Sequence, residues 1–93
     1  MLEKTIERKL VKAVEQLGGM CPKFVSPGLD GVPDRIILLP NGHMAFCELK
    51  APGFRPRRLQ RLRKQQLERL GYRVFIIDGA EQIGGVLDEV HTA

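Results

Sequence analysis

The stretch from Gly31 to Pro52 constrains the fold of this chain most, because it predicts two extended segments joined by a tight turn. Ile36 to Leu39 is an apolar run, and the Asn41-Gly42 dipeptide after it is a strong hairpin signal, since both residues accept a positive φ. The returning segment alternates, so that Glu48 and Lys50 lie on one face of the predicted strand. The sequence therefore predicts a hairpin that presents a carboxylate and an ammonium side by side.

Asp34, Glu48 and Lys50 are candidates for the metal-assisted hydrolysis of a phosphodiester. Asp34 precedes the first strand and Glu48 lies near the end of the second, with thirteen residues between them. Hard cations such as Mg²⁺ prefer oxygen ligands, usually one or two carboxylates, and keep waters that a substrate phosphate displaces. Such a cation lowers the pKa of a bound water, and Lys50 could orient that water and stabilise developing charge. The competing interpretation is that these are ordinary solvated charges at strand ends.

The register of the hairpin decides whether Asp34 and Glu48 can share a metal. A strict two-residue Asn-Gly loop pairs Asp34 with Leu49, which turns the two carboxylates to opposite faces. A shared site therefore requires an odd-length loop, a bulge, or distorted backbone just ahead of the first strand. Pro33 and the glycines before it favour the last option, so we predict a bend or bulge at Asp34.

The composition indicates one domain with a basic surface. The 93 residues form a single predicted domain, residues 1–93, with a net charge of +4. Eight of the fifteen Lys and Arg residues fall between Arg55 and Arg73, where only Glu68 opposes them. Such a block favours a polyanionic partner, most often nucleic acid, over a merely solvated helix face. Aromatic residues are scarce, which disfavours a platform for stacking single-stranded bases.

Several sequence features bear on location and metal chemistry. There is no apolar run of about 18 residues, so no transmembrane helix is predicted. The first ten residues lack the apolar core of a signal peptide. The two cysteines, Cys21 and Cys47, are therefore expected as free thiols in a reducing cytoplasm. They have no tight spacing with the two histidines, which argues against a zinc site.

The flanking segments predict helices around the hairpin and one further strand. Residues 3–18 keep a helical period of apolar residues, and residues 20–25 predict a short strand followed by a shaped loop. A second helix is expected to open at Pro56 and end at Gly71, with its leucines as a core face. Residues 72–77 predict a buried strand, and a last helix follows, weakened by Gly84-Gly85 at about 1 kcal/mol per glycine. This order predicts an α/β sandwich with a mixed sheet covered by helices.

Three further polar residues are weaker candidates for the site. Glu7 lies at the edge of the apolar stripe of the first helix, where pairing with a nearby Lys or Arg is the simpler interpretation. Gln60 alone predicts only a surface amide. Ser26 could contact a phosphate or cap a turn.

The motifs together resemble a known group of nucleases. Pro33-Asp34, followed across a hairpin by Glu48-x-Lys50, is similar to the PD-(D/E)xK nuclease superfamily. The closer resemblance is to the virus-type replication-repair nuclease (VRR-NUC) family, and it covers nearly the whole chain. It rests on KFVSPGLDGVPDRIILLPNGHMAFCELKAPG, with Gln60 and Gly71-Tyr-Arg-Val downstream. It implies a restriction-endonuclease-like α/β core. Small stand-alone members are mainly phage and prophage proteins, which implies the cytoplasm of a bacterial host cell.

The resemblance also implies roles for individual residues. Asp34 and Glu48 would hold Mg²⁺ or Mn²⁺ with the backbone carbonyl of Leu49, and Lys50 would be the catalytic lysine. Gln60 matches the family's helix glutamine near the active site, which replaces the surface interpretation of this residue. Glu7 resembles a glutamate of the N-terminal helix that completes the catalytic and metal site in related junction resolvases, with Glu3 as the alternative.

Contacts with DNA are expected from the loop, the first strand and the basic segment. Ser26 resembles a loop serine of archaeal-type resolvases. The residues expected to contact DNA are Ser26, Arg35, Arg55, Arg57, Arg58, Arg61 and Lys64.

The resemblance predicts a Mg²⁺- or Mn²⁺-dependent endonuclease acting on branched DNA, with four-way (Holliday) junctions as the expected substrate. One active site reaches one scissile phosphate, and paired cuts need two sites related by two-fold symmetry. A homodimer is therefore expected, with a terminal helix in its interface. The alternatives are a nickase or flap nuclease that works with a helicase partner, and a non-catalytic DNA-binding accessory protein whose basic helix carries the function.

Overall fold

The computed structural model describes residues 2–92 as three helices and a three-stranded sheet. The helices are α1 (Glu3–Gln16), α2 (Arg58–Arg69) and α3 (Ile83–Thr92). The strands are β1 (Arg35–Leu38), β2 (Met44–Leu49) and β3 (Val74–Ile77), in the spatial order β1-β2-β3. β1 is antiparallel to β2 and β3 is parallel to it. The predicted mixed sheet with flanking helices is confirmed. None of the described helices is long and apolar enough to cross a membrane.

One face of the sheet carries the hydrophobic core, which α1 and α3 cover. The four-residue spacing of Ile6, Leu10 and Val14 places them on one stripe of α1, and all three are fully buried. The sheet and α3 contribute Ile37, Ala45, Cys47, Leu49, Ile77, Ile83, Leu87 and Val90. Burial of each large aliphatic side chain stabilises the fold by about 1.5–3 kcal/mol. This core fixes the plane of the hairpin, and Glu48 lies on the opposite face of the sheet.

The leucines of α2 do not form a core face, so that prediction is wrong. Leu59, Leu62 and Leu70 are 40%, 43% and 73% exposed, and Gln60 is the buried residue of this helix. The sheet face available to α2 is short, and aromatic side chains already occupy part of it: the Phe46 ring packs with Phe24 and Tyr72. Consequently α2 covers only part of this face.

The start of α2 also differs from the prediction. The helix begins at Arg58, two residues after Pro56. The side-chain oxygen of Gln60 accepts a hydrogen bond from the Arg57 N–H at 2.8 Å, which satisfies one of the donors that a helix start leaves open. A buried glutamine at this position therefore sets where α2 begins.

The segment 20–25 is not a regular strand, contrary to the prediction. It follows β1 through two isolated bridges, Met20 with Leu38 and Lys23 with Arg35. Pro22 has no N–H to donate, and only its carbonyl joins the ladder, accepting from the Ile36 N–H at 3.0 Å. The segment still shields the outer edge of β1.

The hairpin loop has five residues, from Leu39 to His43, and the Leu39 N–H closes it by donating to the His43 carbonyl at 2.8 Å. Asn41 and Gly42 adopt the positive φ values expected of them, 67° and 77°. Arg35 pairs with Cys47, so the next positions along the ladder are Asp34 and Glu48. The odd loop length thus turns both carboxylates to the same face. The predicted bend at Asp34 is also present.

Candidate active site

Asp34 and Glu48 lie side by side at the open end of the hairpin. Asp34 Oδ2 accepts a hydrogen bond from the Leu49 N–H at 2.8 Å, so a side chain takes the place of a backbone acceptor beyond the end of β1. Glu48 is only 3% exposed. Its Oε1 is buried and has no hydrogen-bond partner within residues 2–92. An orphaned buried carboxylate oxygen is costly unless a proton or a cation satisfies it.

The pKa of Glu48 is raised to about 8, and burial is the largest cause. Asp34 contributes to this rise through a hydrogen bond to the protonated form of Glu48 and through its own negative charge. The charge of Lys50 acts in the opposite direction and that of Glu3 in the same direction, with smaller effects. Near neutral pH the pair of carboxyl groups therefore retains a proton that a divalent cation could replace.

The donor set at this end of the hairpin fits a hard cation. Residues 2–92 contain no cluster of three or more His, Cys, Asp and Glu side chains arranged to hold a metal ion. Mg²⁺ needs only one or two carboxylates, however, and Asp34 and Glu48 supply two, one of them with an unsatisfied oxygen. A residue in an antiparallel ladder presents its N–H and its C=O to the same neighbour. Because Leu49 donates to Asp34, its carbonyl faces the same side as that carboxylate.

Lys50 and Gln60 lie on the Glu48 side of the sheet. Lys50 follows Glu48 by two positions on the same face, and its charge lowers the pKa of that carboxyl group. Gln60, 8% exposed, lines a narrow crevice between α2 and the sheet together with Glu48. Its carboxamide oxygen is bonded to the N–H of Arg57, so its amide N–H groups remain for the crevice. The structure thus places Gln60 in the same crevice as Glu48.

Lys64 lines the same crevice, a position that the sequence analysis did not assign to it. It is half-buried and pairs with Glu68 at 2.9 Å. The available signal was its spacing: Lys64 follows Gln60 by four residues and therefore lies on the same face of α2. The crevice that contains the buried Glu48 is therefore also lined by the ammonium-bearing side chain of Lys64.

The two glutamates at the start of α1 have different surroundings. Glu7 Oε2 pairs with Arg35 Nε at 2.8 Å, and the same guanidinium donates to the carbonyl of Cys21 at 2.7 Å. Glu3 lies in the first turn of α1, and its charge acts on Glu48. Glu3 is therefore the α1 carboxylate whose charge reaches the pair, whereas Glu7 is held by Arg35.

Five of the seven side chains expected to contact DNA lie on α2 or just before it and form a basic surface. This α2 basic surface consists of Arg55, Arg57, Arg58, Arg61 and Lys64. Arg61 donates to the carbonyl of Pro56 at 2.7 Å, and the other arginines are exposed. Ser26 lies in a turn in which its carbonyl accepts from the Leu29 N–H at 3.2 Å, and Arg35 is bonded inside the protein as described above.

The loop before Asp34 is anchored on α2. Arg63 Nε donates to the carbonyl of Asp30 at 2.6 Å. Gly31 has φ +82°, and a Cβ there would lie 2.7 Å from Cγ of Leu59. Only glycine fits this close approach, which places Pro33 in the crevice and Asp34 at the end of the hairpin.

Comparison with known proteins shows two clear similarities. A solved structure described as a "VRR_NUC domain" matches with a TM-score of 0.86 at 23% identity, over 95% of this chain and 97% of that chain. The chain is also 43% identical over 89 residues to "Putative nuclease p44" of Acyrthosiphon pisum secondary endosymbiont phage 1, covering 96% of this chain and 95% of that protein. The chain belongs to the VRR-NUC family. No family model matches it. The predicted family and the predicted VRR-NUC fold are confirmed.

Proposed function

We propose that this VRR-NUC protein is an endonuclease that uses Mg²⁺ or Mn²⁺ to hydrolyse phosphodiester bonds in branched DNA. The observation that carries the proposal is the buried Glu48 oxygen, which has no hydrogen-bond partner in the part of the chain that the structure describes and lies beside Asp34 and within the field of Lys50. A purely structural carboxylate would be expected to have its oxygens satisfied by the protein. A non-catalytic accessory protein would have no use for this arrangement.

Asp34, Glu48 and the carbonyl of Leu49 would hold the cation. When bound, the cation supplies charge neutralisation at the scissile phosphate and a lowered pKa for a bound water. Lys50 would hold the attacking water and stabilise charge that develops on the phosphate oxygens. The amide of Gln60 would orient a phosphate oxygen at the mouth of the crevice.

Branched DNA, and four-way junctions in particular, is the proposed substrate, with a homodimer as the active form. The exposed α2 basic surface supports a polyanionic ligand. Paired cuts in opposing strands need two active sites related by a two-fold axis. The exposed leucines of α2 are apolar surface that a second copy could cover.

The deciding experiment compares cleavage of a labelled four-way junction with cleavage of linear duplex and flap DNA, each with Mg²⁺, Mn²⁺ or EDTA. We expect metal-dependent paired cuts in the junction. Removing Lys50 as Lys50→Ala should lower the rate by about 10²–10³-fold while leaving DNA binding within a few fold. Lys9→Ala, which removes an exposed lysine from α1, is the matched control and should cleave normally.

The outcomes separate the alternatives. Single nicks, or cutting of flap DNA alone, would support a nuclease but contradict the junction-resolving activity. That result would favour a nickase or flap nuclease that works with a helicase partner. Tight DNA binding without cleavage in either metal would reject the nuclease and favour the accessory protein. Sedimentation of the protein at several concentrations tests the homodimer independently.

A further inference from the structure

We propose that α1 carries a second binding surface for the DNA phosphate backbone, distinct from the active site and from the α2 basic surface. It is a groove of about 680 Å³ between α1 and the segment 20–25, next to β1. Its rim carries Lys4, Arg8, Lys12 and Lys23, all of them exposed. We call it the α1 groove, and its proposed ligand is one duplex arm of a branched substrate. The inference rests on the function proposed above and extends it.

The cations of the α1 groove are spaced to follow a nucleic-acid strand. Lys4, Arg8 and Lys12 recur every four residues and therefore form one stripe along α1. Each step of four residues advances about 6 Å along the helix, so the stripe is about 12 Å long. One DNA strand places a phosphate every 3.4 Å or so along its axis. The stripe can therefore face about four phosphates of one strand.

The charge of this stripe is not compensated by an ion pair among the residues that the structure describes. The ion pairs among residues 2–92 join Arg35 to Glu7 and Lys64 to Glu68, and none involves the stripe. Glu7 lies in the groove but is held at 2.8 Å by Arg35. Like charges four residues apart destabilise a helix by about 0.2–0.5 kcal/mol per pair, and Lys4 also opposes the helix dipole in the first turn. A bound polyanion would neutralise these positive charges and relieve their repulsion, and this relief would add to the binding free energy.

The opposite wall of the groove is fixed to the strand that follows Asp34. Lys23 forms a backbone bridge with Arg35, and the Phe24 N–H donates to the carbonyl of Asp34 at 2.9 Å. The groove therefore has a defined position relative to the active site. Since α1 and α2 cover opposite faces of the sheet, a ligand bound in the groove approaches from the side opposite the α2 basic surface. A substrate with more than one arm can engage both surfaces.

The lining of the groove favours nucleic acid over an acidic protein segment. Among the described residues that line it, Val11 is the only one with an apolar side chain, and it is half-buried. Protein partners are usually anchored by large apolar or aromatic side chains that enter a pocket, whereas nucleic acid binds mainly through charge. Glu15 also lines the groove and would repel either ligand, which provides a useful control.

The test measures DNA binding by fluorescence anisotropy in EDTA, where no metal-dependent cleavage occurs, for a four-way junction and a linear duplex over a range of salt concentrations. The triple substitution Lys4→Gln, Arg8→Gln, Lys12→Gln should weaken junction binding by roughly 100-fold at 0.15 M salt. It should also reduce the slope of log K against log salt by about 2.7, as expected for three lost phosphate contacts. Arg8→Gln alone should cost about fivefold.

Two matched variants control for charge and folding. Lys4→Arg with Lys12→Arg preserves the charge and should bind as the wild type does. Glu15→Gln removes a carboxylate from the groove and should tighten binding. Thermal unfolding should show that the triple variant is at least as stable as the wild type, because it removes repulsion within α1.

The result that overturns the inference is a junction affinity of the triple variant within twofold of wild type with an unchanged salt slope, whether or not the wild type cleaves DNA. Absence of DNA binding by the wild type would overturn both proposals. If the wild type binds but does not cleave in Mg²⁺ or Mn²⁺, the nuclease proposal fails while the affinity comparison still decides the groove.

Discussion

Replacing Glu48 by glutamine should stabilise the metal-free protein near neutral pH, although it removes a proposed metal ligand. In the wild type, burial and the neighbouring Asp34 together raise the pKa of Glu48 from 4.5 to about 8. Between these values the folded protein binds a proton that the unfolded chain has released. The stability linked to that proton is fully present below the unfolded pKa and is lost as the pH rises through the folded pKa. Glutamine is neutral throughout and shows no such loss.

The size of the effect follows from proton linkage. Each pKa unit corresponds to about 1.36 kcal/mol. The shift at Glu48 should therefore remove about 2–3 kcal/mol from the wild-type free energy of unfolding between pH 5 and pH 7. For a domain of this size, that loss lowers Tm by roughly 10–20 °C. The Glu48→Gln variant should lack this component of the pH dependence.

The assay is denaturant unfolding of both proteins in EDTA at pH 5, 6, 7 and 8. The difference between their free energies of unfolding at each pH gives the contribution of Glu48, because the other titrating groups are present in both proteins. Glu15→Gln, which neutralises an exposed carboxylate, is the control and should track the wild type. At pH 8, added Mn²⁺ should stabilise the wild type by about 2.7 kcal/mol at a concentration of 100 times Kd, and should stabilise Glu48→Gln less.

Parallel stability curves for wild type and Glu48→Gln from pH 5 to pH 7 would refute the reasoning. Such a result would mean that Glu48 ionises as a solvated carboxyl group does and that its buried oxygen finds a partner in solution. Ionisation of Glu48 in the metal-free protein would then not reduce its stability, which is the effect that the proposed metal site assumes.

Three further predictions concern the framework of the site, and thermal or denaturant unfolding checks each of them. Gly31→Ala should destabilise the protein by about 1–3 kcal/mol, because φ is positive there and the new Cβ would meet Leu59. The control Gly28→Ala should be nearly neutral, because there is open space around Gly28. Equal losses of stability in the two variants would contradict the close packing of Gly31 on Leu59. Arg73→Met should cost about 1–2 kcal/mol, since Arg73 donates to the last-turn carbonyls of α3 and lies over a phenylalanine ring, and high salt should not abolish the difference. Leu62→Gln should cost less than about 1 kcal/mol in a monomer because Leu62 is 43% exposed, and a larger loss that depends on protein concentration would place it in a dimer interface.

The sequence predicted the elements around the site well because their signals are local. Alternation along β2 placed Glu48 and Lys50 on one face, and the period of α1 identified the stripe that is buried. The length of the hairpin loop was not predictable from Asn41-Gly42, which suits a two-residue loop equally well. Pro40 was the overlooked signal: it begins a 3-10 turn that makes the loop longer.

Other features depended on what each element packs against, which a periodic pattern does not encode. The leucines of α2 have the spacing of a core face, but the sheet face they meet is too small to cover them. The position of Gln60 in the sequence by itself predicts a surface amide, whereas Gln60 is the buried residue of its helix. Glu3 and Glu7 share a face of α1, and only the tertiary position of Arg35 shows which of them it holds.

The five-residue loop makes the number of residues in a distant turn a determinant of the geometry of the proposed catalytic site. Leu39 to His43 lie at the far end of the hairpin from the carboxylates, yet they set the parity of the ladder. A one-residue deletion there could preserve a hairpin while shifting its partners by one, which would exchange Glu48 with a core side chain. Natural variation in this turn should therefore come in steps of two residues, or in steps of one with a compensating bulge. The two carboxylates of the proposed active site therefore share a face of the sheet only when the turn has an odd number of residues.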